Sequence, residues 1–448
     1  MSQSLQALTH ALLDAARKAG AQSADAIALR GVSVSTEVRR GKLEQIERSE
    51  GVDLGLRVLQ GKRQAIVSAS DIQPATLAGL AERAVAMANE APEDPFAGLA
   101  DPSALSTIRN ADGLDLADPA APPSPDTLTD LALATEAAAQ DVPGVSQVES
   151  ASASYSANDV YMASTNGFSG GYQRTSSSAG CSAICGTGTE MERDYDYDSR
   201  VYFSDLRPAA EVGQCAGERA AERAGARKPA TGTYPVLFDE RISSSLIGHL
   251  LSACNGASVA RGSSWLRDSL GQQVLPTHMS VMENPHRPRC FSSRPFDGEG
   301  LPTTQRNIVE NGVLTGWTLD LTSARKLDMT STGNAARGVS SPPSPVNWNI
   351  ALTQGSQSRQ DLLADMGTGL LVTSMIGSTI NPTTGDYSRG ASGFWVENGE
   401  IAYPVNECTI AGNLRDMLLR IVPANDARAY LSRVVPSLLI EGLTLAGS

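Results

Sequence analysis

Ala24-Asp25-Ala26-Ile27-Ala28-Leu29-Arg30-Gly31-Val32-Ser33-Val34-Ser35-Thr36-Glu37-Val38 alternates in character with a period of two. Successive side chains of a strand point to opposite faces, so the pattern predicts two half-buried strands, over 24–29 and 32–38. Upstream, residues 4–18 set Leu5, Leu8, Ala11, Leu12 and Ala15 on one helical stripe, and Gly20 supplies a stop. Downstream, Arg40-Gly41-Lys42 is a turn. Residues 43–48 and 51–59 predict two further strands, divided by Ser49-Glu50-Gly51. After the turn Gln60-Gly61-Lys62 comes a strand at 64–69. Asp71 and Pro74 then open a helix running to about residue 89. Helix, strand meander and helix make an α+β unit over 1–91.

Residues 92–125 are rich in Pro, Asp and Ala, and Pro122-Pro123-Ser124-Pro125 cannot continue a regular element, so this stretch reads as a linker. A second α+β unit covers 126–228, with a hairpin signal at Asn166-Gly167. The two units could be a distant duplication or one mixed domain. Over 232–448 the texture changes. A strand at 234–238 and a helix from Asp239 to Cys254 are followed by short strands between turns such as Glu310-Asn311-Gly312 and Glu397-Asn398-Gly399. The expected class is α+β: an N-terminal region of helices and antiparallel strands, then a mainly antiparallel β domain.

Composition narrows the function classes. A chain of 448 residues is long enough for two or three domains, and 41% hydrophobic residues is ordinary for a globular protein. The net charge of −13 and the lack of a basic patch argue against nucleic acid as a partner. No run of about 18 apolar residues predicts a membrane span, and residues 1–20 lack a signal peptide's apolar core. Six scattered cysteines fit a reducing, cytoplasmic setting.

The residues that could carry chemistry are few. A catalytic zinc needs about three protein ligands and an open position. The four histidines, His10, His249, His278 and His286, include no His-Glu-x-x-His pair, and no Cys-x-x-Cys occurs. Cys181 and Cys185 would share a strand face, which fits small buried hydrophobes better than ligands. There is no Gly-x-Ser-x-Gly elbow and no phosphate loop. His249 lies mid-helix with no carboxylate beside it in sequence. It reads more readily as a packed or hydrogen-bonded histidine than as a ligand or acid–base group.

Several segments carry a family resemblance spanning nearly the whole chain. They are Val38-Arg39-Arg40-Gly41-Lys42-Leu43-Glu44, Ser164-Thr165-Asn166-Gly167, Phe296-Asp297-Gly298-Glu299-Gly300, Ser331-Thr332-Gly333-Asn334-Ala335, Gly385-Asp386-Tyr387-Ser388 and Gly393-Phe394-Trp395-Val396-Glu397-Asn398-Gly399-Glu400-Ile401. Together they resemble the TldD/PmbA family. Its zinc-bearing subtype has His-Glu-x-x-x-His on a helix and a cysteine near the C-terminus. Laid over this chain, the first His falls on Ser244, the Glu on Ser245 and the second His on His249. Cys408 lies too early to match the late cysteine.

The resemblance is therefore to the metal-free TldE/PmbA subtype. It implies no cofactor in this chain, zinc in a TldD-type partner subunit, and a heterodimer that cleaves unfolded or small peptides, including antitoxins and peptide-antibiotic precursors. Gly333, Asn334, Asp386, Tyr387 and Ser388 are the candidate substrate-binding positions. An extended peptide could add to an open sheet edge of the third unit. Two alternatives stand beside this reading. One is a self-sufficient hydrolase pairing His249 with Asp297, Glu299 or Asp386. The other is a homodimeric peptide-binding protein, and a homodimer is also the form expected in isolation.

Overall fold

The computed structural model describes residues 4–447, with all their side chains but that of Ser378. The opening alternation is a single strand rather than two. β1 (Ser23–Arg39) pairs along its length with β2 (Lys42–Gln60), which is likewise unbroken. Ser49-Glu50-Gly51 does not interrupt β2, because Gly51 lies opposite Gly31 and the ladder runs through. β3 (Arg63–Ala69) borders β2.

One six-stranded antiparallel sheet joins the first two units. Its order is β3-β2-β1-β4-β5-β6, where β4 is Val145–Ser164, β5 Ser169–Cys185 and β6 Glu192–Arg200. Four helices cover one face: α1 (Leu5–Lys18), α2 (Pro74–Glu90), α3 (Pro125–Gln140) and α4 (Ala209–Glu222). On α1 the buried stripe is Leu5, Leu8, Leu12, Leu13 and Ala16, and Ala11 faces out. Ser124 caps α3 by accepting from the Thr127 amide. Asp71 accepts from the Gln73 amide and the Thr76 hydroxyl just ahead of α2, whose own cap position is Gln73.

The alternation of β1 now has a physical meaning. Ala24, Ala26 and Ala28 pack under α1 and α2, and Val34 and Val38 pack under α3. The opposite face presents Asp25 and Ile27, which are also buried, against the third unit. The first half of β1 is thus buried on both faces, and only the second half is half-buried.

Residues 92–124 have little regular structure but are tied down along their length. Arg325 donates to the Phe96, Gly98 and Leu99 carbonyls, Ser106 donates to Gly300, and Thr175 and Arg289 donate to Leu116 and Leu114. The stretch therefore straps the sheet to the third unit.

The third unit holds a barrel-like sheet. Strand Glu400–Asn413 pairs Asp386–Glu397, which pairs Gly369–Ile380, then β7 (Gly232–Phe238), then Leu438–Ala446. Thr409–Ala411 opposite Thr444–Ala446 closes the ring. Most pairings are antiparallel, but β7 runs parallel to Gly369–Ile380. The connection between them runs over residues 239–368 and opens with α5 (Glu240–Ala253), whose Leu246, Ile247 and Leu250 enter the main core with Phe238, Trp395 and Ile440. A smaller sheet through Val281–Glu283 packs into the same core.

Candidate functional site

The site to test is the α5 segment that the resemblance aligns with a zinc helix. β7 ends at Phe238, and Asp239 caps α5, accepting from the Arg241 amide and from the guanidinium groups of Arg241 and Arg359. With Ser243, Leu246, Ile247, Leu250 and Leu251 turned into the core, Ser244, Ser245, Gly248 and His249 are left on the half-buried flank.

Each of these groups has a defined setting. Ser245 donates to the Ile242 carbonyl at 2.7 Å, a bond within its own helix. Ser244 lines a cleft of about 290 Å³ together with Glu240, Arg241, Arg428, Tyr430 and Arg433. A Cβ placed on Gly248 would lie 3.0 Å from Nη1 of Arg433, so that guanidinium sits against the helix. The His249 ring stands edge-on to Tyr387, with centroids 5.9 Å apart, and its Nε2 is buried without a partner among the described residues. Burial, and then the nearby Arg389 cation, hold the His249 imidazole below its ordinary value, so it is neutral at pH 7. Arg389 itself donates to the Gly377 carbonyl at 2.8 Å.

This donor set does not fit a catalytic zinc. It offers one imidazole and two hydroxyls, with arginines where acidic ligands would be needed. Among the described residues no group of three or more His, Cys, Asp or Glu is placed to hold a metal. Cys408 is buried in its strand, donates to the Ala391 carbonyl, and has its thiol pushed up to about 11 by burial. Cys181 and Cys185 do share a buried face of β5. His286 bonds the Thr303 hydroxyl and His10 that of Ser169.

The candidate substrate positions fall into two places. Gly333 and Asn334 are buried: the Gly333 carbonyl accepts from Trp348 Nε1, and Asn334 donates to Glu283 and to the Val346 carbonyl while its Oδ1 has no partner among the described residues. Asp386, Tyr387 and Ser388 lie on the strand beside α5. Tyr387 faces His249, whereas Asp386 is exposed and accepts from Thr384 and Asn413. Asp297 and Glu299 are not with His249. Asp297 accepts from the Glu299, Leu301 and Ala335 amides, and Glu299 from the Leu321 amide. The carboxylate partners proposed for a self-sufficient hydrolase are thus engaged elsewhere. Arg389 and Arg433 are the neighbours that the sequence did not disclose. Both reach α5 from strands more than a hundred residues away, and no local pattern marks them.

A pH prediction follows from His249. Its pKa is lower in the folded than in the unfolded chain. The stability this gives is present above about pH 6.5 and is lost as pH falls through the folded value. His249→Phe, which fills the same space without titrating, should therefore lose less stability than the wild type between pH 7.5 and 5. Urea midpoints at the two pH values measure this, and an equal loss in both proteins would refute it.

Family models described as PmbA/TldA metallopeptidase domain 1, central domain and C-terminal domain match residues 24–88, 118–228 and 231–447. The chain is 40% identical over 419 residues to Metalloprotease PmbA of Escherichia coli O157:H7, covering 93% of this chain and 90% of that one. It is 37% identical over 450 residues to a Metalloprotease PmbA homolog of Haemophilus influenzae, covering 99% and 96%. A crystal structure from Bacteroides thetaiotaomicron, described as a candidate modulator of DNA gyrase, superposes with a TM-score of 0.91 at 27% identity over 99% of both chains. TldE from Thermococcus kodakarensis gives 0.85 at 18% identity over 98% of this chain and 99% of that one, a likeness of fold. The chain belongs to the PmbA/TldD/TldE metalloprotease-like family.

Proposed function

We propose that this chain is the metal-free, non-catalytic subunit of a heterodimeric zinc peptidase, and that a TldD-type partner bearing His-Glu-x-x-x-His supplies the zinc. The observation that carries the reading is the α5 flank: Ser244, Ser245 and a neutral His249, bordered by Arg389 and Arg433. Two guanidinium groups oppose a dication by direct repulsion, and two hydroxyls replace the ligand and the general base that such chemistry needs.

The role left to this chain is to hold an extended peptide. On one side, strand Gly369–Ile380 pairs β7 only through Leu370–Val372, and beyond that it pairs only Asp386–Glu397 among the described residues. Its other edge is open beside α5, with Ile376 largely exposed. Backbone pairing on such an edge selects unfolded chains with little regard to side chains, which suits small or unfolded peptides as substrates.

The test is reconstitution. The pure chain should contain no stoichiometric zinc and cleave no casein-derived peptide. Mixed with a zinc-bearing partner, it should raise hydrolysis at least tenfold over the partner alone, and a chelator should abolish that activity. Zinc at one equivalent with turnover by the isolated chain would sink the proposal. Full activity of the partner alone would do the same.

A further inference from the structure

A second cavity, of about 170 Å³, lies between the helix-free face of the N-terminal sheet and the third unit. The sheet contributes a cross-strand ladder in which Ile27 of β1 lies opposite Met162 of β4, and Val160 lies between Leu29 of β1 and Tyr172 of β5. Arg174 follows Tyr172 by two residues on the same face. The third unit contributes Arg294, Phe296, Arg337 and Trp348. Both walls mix apolar or aromatic side chains with cations: Arg174 from the sheet, Arg294 and Arg337 from the third unit.

Among the described residues only Arg337 of these three cations meets a carboxylate. Among the described residues Arg174 donates to the Phe291 and Ser293 carbonyls and lies over the Tyr172 ring, and Arg294 donates to the same two carbonyls and lies over the Trp348 ring. Nε of Arg174 is buried without a partner among the described residues. The side chain of Arg337 is 1% exposed. It pairs through Nη1 with Asp25, a carboxylate that Arg57 also holds. Its Nε and Nη2 are both buried and have no partner among the described residues. These two nitrogens form the edge of a guanidinium that takes a carboxylate in two parallel bonds. Arg57 turns the same edge on Asp25 in this molecule, with both nitrogens on one oxygen, Oδ2. Asp297, the carboxylate on the wall, already accepts from three backbone amides. Burial, and for Arg174 the nearby Arg294 cation as well, lower the Arg174 and Arg337 values to about 10, and a bound anion would relieve this.

We propose that this cavity is a binding site for a small organic carboxylate, with the anionic head on the Nε–Nη2 edge of Arg337 and the apolar body against Ile27, Val160, Met162 and Phe296. An unpaired buried guanidinium edge calls for a planar anion, and the apolar ladder favours a ligand with a hydrocarbon body over inorganic phosphate. The cavity joins the sheet to the third unit, so an occupant contacts both.

The test is a calorimetric titration of the full-length chain with hexanoate, benzoate, inorganic phosphate and hexylamine. Hexanoate or benzoate should bind at one site per chain and raise the melting temperature. Phosphate should bind at least tenfold more weakly, and hexylamine not at all. Arg337→Gln should weaken hexanoate at least tenfold. If that variant does not fold, Arg174→Gln, which leaves the Asp25 pair intact, should weaken it at least threefold, and Val160→Trp should block the cavity. Binding of phosphate as tight as hexanoate would overturn the proposal in favour of a plain anion site. No binding of either carboxylate at 10 mM, or undiminished binding in the variants, would overturn it altogether.

Discussion

Asp25→Ala is expected to destabilise the chain by about 3–5 kcal/mol, the usual cost of removing one partner from a buried ion pair. Asp25 accepts from Nε of Arg57 at 2.8 Å and from Nη1 of Arg337, and all three side chains are almost wholly buried. Without the carboxylate, two guanidinium groups stay in the interior, where the cost of an unpaired charge exceeds that of a lost hydrogen bond. Most domains are stable by only about 5–15 kcal/mol, so the loss should show as a large fall in the urea midpoint. Asp25→Ala combined with Arg337→Met should recover part of it, because one orphaned charge is then gone. If the single variant unfolded within about 1 kcal/mol of wild type, the pairing described here would carry no such weight.

Raising the pH should weaken the same region. Asp297 and Glu299 lie next to each other in a buried turn, near Arg57 and Asp320. Burial first, and the neighbouring carboxylates second, push their values up to about 7 and about 8. Both sit above the unfolded values near 4, so the folded chain retains protons that the unfolded chain gives up. The stability this provides is complete below about pH 4 and is lost as pH rises through 7 and 8, at up to about 1.4 kcal/mol per pH unit for each group. Glu299→Gln keeps an oxygen for the Leu321 amide but does not titrate. Relative to the wild type it should gain stability steadily from about pH 4 to pH 8.5 in urea unfolding. A stability difference between the two proteins that is the same at pH 4 and pH 8.5 would remove the basis for this expectation.

The class of the fold was legible because it is local. The alanine positions of β1 alternate at the period of a strand, and Leu5, Leu8 and Leu12 recur at that of a helix. The α+β assignment, the helix over α5 and the loss of the His-Glu pair at Ser244 and Ser245 all come from residues near one another in the chain. What local pattern misjudged was continuity. Gly31 and Gly51 looked like breaks, yet they face each other across one ladder, and pairing on both sides of β1 carries the strand through. The strap at 92–124 looked loose because Pro and Asp resist regular elements. It is held instead by side chains such as Arg325, more than two hundred residues away.

By itself, then, the sequence determined the α+β class, the helix at α5 and the absence of a complete zinc pattern on it. Periodicity and motif spacing are properties of neighbours, and neighbours are what a sequence displays. Only the tertiary structure decided that Arg389 and Arg433 border His249 and Gly248. It alone decided that Gly333 and Asn334 are buried while Tyr387 faces the helix. It alone decided that Asp25 meets an arginine 312 positions further on. Each of these depends on where burial of the two faces of one sheet brings distant segments together, and a buried charge finds its partner only when that packing is complete.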